Sequence, residues 1–199
     1  MLLAAYTAGE RDFHNWELSG ADLSGMELNG INLSNAVLTG ANLSGASLQN
    51  ADLTHADLSR ANLSRATMTE CDISWTLLTD ADLVGADLRR SHARAANFTN
   101  ALLLRSRFND ADCLGAIMIN VNATAAQFET ANLECCDMSR AAMMNANLSG
   151  TNCAWANLTD ARLNWAQMNW CKLEAADLEQ ANLTGASLRG ANLSFANLD

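Results

Sequence analysis

The sequence predicts an all-β, single-domain solenoid whose chain turns a corner every five residues, and three observations carry that prediction. An apolar residue occupies every fifth position from Phe13 to Leu198, 38 times in one register. At 49% apolar composition the chance of such a run is roughly 10⁻¹². The position two before each centre is usually a small apolar residue, alanine in 26 of the 38 repeats. Turn-forming residues fill the remainder, with Asp or Asn just before the centre in 22 repeats, Ser or Thr just after it in 18, and Gly two after it in ten. A period of five fits neither the 3.6 of an amphipathic helix nor the 2 of a half-buried strand, so each unit must contain its own bend. The phase never changes and there is no proline. The 199 residues therefore read as one repeat array without a linker.

Taken in chain order, residues 2–10 are apolar and end near Gly9, which predicts a short helix laid over the first coil. Residues 1–10 are thus the expected N-terminal cap and 11–199 the solenoid. The first inward positions are bulky (Trp16, Met26, Ile31), as a closed end requires. The unit is cleanest in Ala41-Asn42-Leu43-Ser44-Gly45 and Ala61-Asn62-Leu63-Ser64-Arg65. In an extended stretch the centre and the residue two before it point to the same side, leaving the other three toward solvent. Asp, Asn, Ser and Thr bond nearby backbone and favour the corner. At the other end Leu198-Asp199 stops in mid-pattern. The expectation there is an uncapped coil that self-associates, meets a partner or continues in a longer natural chain.

Composition excludes several function classes. A net charge of −10 repels phosphate backbones, so direct nucleic-acid binding is not expected. No apolar run is long enough to span a membrane, and the first residues lack the basic region of a secretory signal. Five of the six cysteines (Cys71, Cys113, Cys136, Cys153, Cys171) fall in the inward phases, which argues against a disulfide framework and suits a reducing, cytoplasmic location. His14, His55 and His92 all fall in outward phases, too far apart to share a metal. No catalytic, cofactor-binding or metal-binding residues are expected, and the protein reads as a non-enzyme.

The unit Ala-(Asp/Asn)-Leu-(Ser/Thr)-x over residues 11–199 resembles the pentapeptide-repeat proteins, and Tyr6 to Phe13 resembles the entry segment of cyanobacterial members. That resemblance implies four units per square coil of twenty residues, stacked as a right-handed quadrilateral parallel β-helix. With coils about 4.8 Å apart, some 9–10 coils make a rod on the order of 45 Å long. The twenty-residue coil can be tested internally. Ala93 and Ala123 are the only centres too small to fill the shaft, and each has large residues in its own coil: Phe98, Leu103 and Phe108 for the first, Met118 and Phe128 for the second. Volume is shared within a layer.

Two departures from the consensus mark candidate partner-binding residues. Trp155, Trp165 and Trp170 fall two after a centre, where large aromatics are uncommon on a surface and enriched in binding hot spots. Residues 89–107 carry Arg89, Arg90, Arg94, Arg105 and Arg107 with no acid, and outward apolar residues share that zone: Leu102, Leu104, Leu114, Ile117 and Ile119. The expected function is a rigid interaction scaffold binding an unidentified protein through the Arg band, the Trp positions or both. The alternative implied by the resemblance is a DNA mimic acting on DNA gyrase or a topoisomerase. Columns of acids such as Asp52, Asp72 and Asp112 suit it, and the Arg band interrupts them.

Overall fold

In a computed structural model, which describes residues 2–199, the chain closes on itself every twenty residues. Each described repeat forms a single parallel bridge to the repeat twenty residues on, from Asp12↔Asn32 to Asp177↔Asn197. The bridges fall into four columns, which define four walls. The first carries Asp12, Asn32 and so on to Asn192, the second Glu17 to Asn197, the third Asp22 to Asn182 and the fourth Glu27 to Ser187. A helix α1, Leu2–Thr7, precedes them. Leu2 is buried, and Ala5 and Tyr6 pack on the core. The Tyr6 hydroxyl donates to the Asn29 carbonyl at 2.8 Å, and the Arg11 guanidinium lies 3.9 Å from the Tyr6 ring centroid. Met1, counted in the expected cap, lies outside the described residues.

The five-residue unit follows from where its backbone N–H groups go. The centre donates to the next coil, as Leu33 N–H does to the Asp52 carbonyl at 2.7 Å. The residue before it donates to the previous coil, as Asn42 N–H does to Ala21 O at 2.9 Å. The corner residue, two after the centre, also reaches the next coil (Gly45 N–H to Ser64 O, 2.8 Å), and the following residue closes the turn (Ala41 N–H to Leu38 O, 2.9 Å). One donor is left over, on the residue just after the centre. The Asp or Asn before the centre accepts it, as Asn32 Oδ1 does from Ser34 N–H at 2.9 Å and Asp52 Oδ1 from Thr54 N–H at 2.9 Å. The preference for Asp and Asn at that position is thus the completion of a backbone account.

Every corner residue from Asn15 to Phe195 has a positive φ, between 52° and 73°. With the bond across the turn, this is the third position of a type II turn, which glycine occupies at no steric cost. Only ten of these corners are glycine; Arg, Trp, Asp and Asn hold most of the others. A non-glycine residue there costs on the order of 1 kcal/mol, which the surrounding ladder offsets.

The shaft is solid. Leu23, Leu28, Ile31 and every centre from Leu33 to Leu178 are buried, as are the inward alanines from Ala36 to Ala176. Volume is shared within a layer as expected: the Phe98 and Phe108 rings meet at 5.8 Å in the coil of Ala93, and Phe108 stacks on Phe128 of the next coil at 5.0 Å. Where Ser or Thr replaces the inward alanine, its hydroxyl donates to a carbonyl, as Thr76 Oγ1 does to Leu53 O at 2.7 Å. The residues flanking each centre, expected to face solvent, are mostly half-buried because each is stacked between its neighbours in the wall, and Thr69, Ser74 and Ala142 are fully buried.

Five thiols lie in the shaft and Cys135 stands exposed at a corner. Burial pushes Cys71 and Cys136 up to about 12 and Cys113 well above the ordinary thiol range. Thiolate is the reactive form. A disulfide reagent at pH 8 is therefore expected to titrate one thiol rapidly in the native protein and all six after denaturation; rapid reaction of several native thiols would contradict the packing. Among the described residues, no helix is long and apolar enough to cross a membrane.

Candidate partner-binding surface

The exposed large apolar residues at bridge positions lie at mid-height. On the third wall Leu102 is 43% exposed, and Val84, Leu104 and Met144 lie half-buried around it. On the adjoining second wall Leu77 is 44% and Ile117 37% exposed, with Ile119 beside Ile117. Solvent-facing apolar residues thus lie on two neighbouring walls, with the polar ladder of Asp80, Asn100 and Asn120 on the corner between them.

These substitutions also leave backbone donors open. Leu102 has no oxygen to accept the Leu104 N–H, and the same holds for Ala142 with Met144, Leu77 with Thr79 and Ile117 with Ile119; none of these four N–H groups has an acceptor within the described chain. One coil away on the third wall, Asp82 accepts the Val84 N–H at 2.9 Å.

The arginines divide into two sets. On the fourth wall, Arg89 holds Asp87 through two bonds of 2.8 Å and Arg107 approaches the same carboxylate at 3.3 Å. On the first wall Arg94 binds Asp112 at 2.6 Å, and on the corner between the fourth and first walls Arg90 reaches Glu70 at 2.9 Å. Burial raises both Asp87 and Asp112, but the bonds from Arg89 and Arg94, with Asn132 also bonded to Asp112, hold both carboxyls below their ordinary range. Arg94 and Arg107 are therefore paired residues on other walls, while Arg105 and Arg65 have no ion pair among the described residues. The acids engaged here lie outside residues 89–107 or in their neighbouring coils. Asp87 is two residues before Arg89, but Arg90, Arg94 and Arg107 reach acids 18 to 20 positions away, which only the coil register could have revealed.

The three tryptophans stand at three different corners. Trp155 lies between the first and second walls, Trp165 between the third and fourth, and Trp170 between the fourth and first. They are 65%, 61% and 64% exposed. Trp165 and Trp170 are seated on the glycine corners of the next coil. A Cβ on Gly185 would stand 2.4 Å from Trp165 Cδ1, and one on Gly190 2.4 Å from Trp170 Cε3. Each indole thus covers a corner that its neighbour keeps bare. Arg105 and Trp165 share a corner line three coils apart, about 14 Å. Leu102, Leu104 and Arg105 form one local group, and the tryptophans are peripheral to it.

A shaft filled by side chains, walled by a parallel ladder and offering chemistry only on its outer faces is a repeat solenoid, a class defined by stacked identical units. The chain belongs to the pentapeptide-repeat family: eight copies of the pentapeptide-repeats profile match within residues 17–134 and 136–199. No curated protein matches it by sequence. Among solved structures it is similar to HetL, a pentapeptide repeat protein involved in heterocyst differentiation regulation from the cyanobacterium Nostoc sp. strain PCC 7120. The two are 30% identical over 99% of this chain and 93% of HetL, with a TM-score of 0.62. It is also similar to QnrB1, a plasmid-mediated fluoroquinolone resistance protein, over 89% of this chain and 91% of that one. There the TM-score is 0.80 at 18% identity, a likeness of fold alone.

Proposed function

We propose that the protein is a non-enzymatic, cytoplasmic scaffold or regulator that binds another protein through the mid-height surface of its second and third walls. In finer detail the scaffold is a right-handed quadrilateral β-helix over residues 11–199, capped by residues 1–10. The observation that carries this reading is the pair of exposed leucines, Leu77 and Leu102, with Ile117, in positions that the repeat otherwise fills with Asp or Asn. A rigid wall pays little ordering entropy on binding, so a modest apolar surface suffices for a specific contact. The likeness to HetL, a protein involved in regulation, supports the same reading.

The DNA-mimic alternative draws no such support. Asp87, Asp112 and Glu70 are held by arginines at mid-height, which thins the acidic columns a mimic would present. The test is to repair the repeat with Leu77→Asn, Leu102→Asn and Ile117→Asn together, changes to the family's own residue. Affinity capture from the native host is expected to retain a protein on the natural chain and to lose it on the repaired one, with unchanged circular dichroism. Equal retention by both would sink the reading, and gyrase subunits retained by both would favour the mimic.

A further inference from the structure

The third wall offers more than apolar surface. Arg65 and Arg105 stand on the same corner line, the one between the third and fourth walls, two coils apart or about 9.6 Å. Gly85 occupies the corner between them, and the Arg65 side chain leans across it: Arg65 Cγ comes 3.9 Å from the point where a Gly85 Cβ would stand. Two guanidiniums without an acid thus flank one bare corner in a chain of net charge −10. Beside them, on the wall itself, lie Leu102 and Leu104 and the Leu104 N–H that Leu102 leaves without an acceptor. Asp80, Asp82 and Asp87 are the nearby acids, and all are engaged, Asp80 by the Asn100 amide at 3.1 Å, Asp82 by the Val84 N–H and Asp87 by Arg89 and Arg107. A shallow concavity of about 510 Å³, lined by Asn62, Ser64, Arg65, Val84 and the carboxylate of Asp82 among others, opens the wall on the N-terminal side of the leucines.

We propose that this wall receives an amphipathic helix of a partner protein, with an apolar seam against Val84, Leu102 and Leu104 and acidic residues seven apart facing Arg65 and Arg105. The inference rests on the scaffold reading and specifies its partner. Charge complementarity selects acids. The guanidiniums are donors only, and a carboxylate placed by Arg105 also reaches the Leu104 N–H, supplying in trans the acceptor that Asp82 and Asn122 supply in the two adjacent coils of the wall. The secondary structure is selected by the ladder. Bridges Asn62↔Asp82 and Asp82↔Leu102 continue unbroken through this wall, so it has no free strand edge for an extended peptide to join. The occupant must bring a backbone already hydrogen-bonded within itself. In a helix, residues seven apart lie about 10.5 Å apart on one flank, which matches the spacing of the two arginines within the reach of their side chains. Residues one, four and eight after the first acid then form the seam.

The probe is a labelled synthetic helix of about 20 residues with Glu at positions i and i+7 and Leu at i+1, i+4 and i+8, compared with the same peptide carrying Lys for Glu. Fluorescence anisotropy is expected to show the Glu peptide binding the natural protein at least tenfold more tightly than the Lys peptide. Arg65→Glu with Arg105→Glu should reverse that order. Leu102→Asn, which restores both the polar wall and the in-chain acceptor, should weaken the Glu peptide at least tenfold without unfolding the coil. Equal binding of the two peptides, no response to the charge reversal, or equal binding of a DNA duplex in place of the helix would each overturn the proposal. If the repaired rod loses its captured protein while the peptides behave alike, the scaffold reading survives and the acidic helix does not. If the repaired rod and the natural chain capture alike, both fall.

Discussion

Replacing Phe108 by alanine is expected to destabilise the protein by about 3–5 kcal/mol, the range for deleting a fully buried phenylalanine. The reason lies in its layer. Ala93, a centre of the same coil, leaves space that Phe98 and Phe108 fill from two other walls, with their rings 5.8 Å apart. Phe108 also supports Phe128 at 5.0 Å in the coil above. Truncation removes both aromatic contacts and leaves a layer with two small centres, and the ladder holds the walls at a fixed spacing that resists collapse. Ala93→Leu alone should overpack the layer, costing about 1–3 kcal/mol. Combined with Phe108→Ala it should instead recover stability, with a coupling of about 0.5–3 kcal/mol between the two sites. Urea titrations of the four proteins in this cycle give the answer. Strict additivity would show that volume is not shared within a coil.

Leu53→Asp is expected to be more damaging at neutral pH and to invert the pH dependence of stability. Leu53 is fully buried in the shaft, and the Thr76 hydroxyl beside it is already committed to the Leu53 carbonyl at 2.7 Å. An ionised group there costs several kcal/mol, a large part of the 5–15 kcal/mol typical of a domain. The new carboxyl would have its folded pKa raised above its unfolded value, so the folded state binds more protons and stability falls as pH rises between the two. The natural protein runs the other way. Asp87 and Asp112 are held below their ordinary 3.8, so their contribution is present above that value and is lost as pH falls below it through the folded pKa. The urea midpoint of the natural chain should therefore hold from pH 7 down to about pH 4 and decline below that as these carboxyls take up protons. That of the variant should first rise as its buried acid takes up a proton. A variant midpoint that only declines with acid would mean that the shaft admits water.

The fold was legible because its rule is written in every unit. Leucine at 43, 63 and 83 and alanine two places before each declare an inward side whatever the global shape, and Phe98 and Phe108 around Ala93 disclosed the length of a coil. The corner was half legible: Gly45 signals positive φ, but Arg65 and Trp165 adopt the same conformation without a sequence signal, because the ladder imposes it. The surface was the hardest part. Arg94 and Arg107 look free beside their sequence neighbours, and their partners Asp112 and Asp87 lie 18 and 20 positions away. Leu102 and Arg105 were visible as departures from consensus, whereas Arg65, forty positions before Arg105, joins them only through the coil register. The seating of Trp165 on Gly185 was hidden for the same reason.

The twenty-residue return has a consequence for how such a surface changes. Four interleaved texts are written along one chain, each wall read by taking every twentieth residue. Adding or removing twenty residues lengthens or shortens all four texts and keeps their content aligned. Adding five leaves every centre a centre and every corner a corner, yet it transfers everything downstream by a quarter-turn. Inserted after Arg65, such a unit would carry Leu102, Leu104 and Arg105 onto the fourth wall and separate them from Arg65 without burying a single polar group. Small duplications can thus shuffle binding faces while the packing stays indifferent, and two chains with the same repeats need not present the same walls.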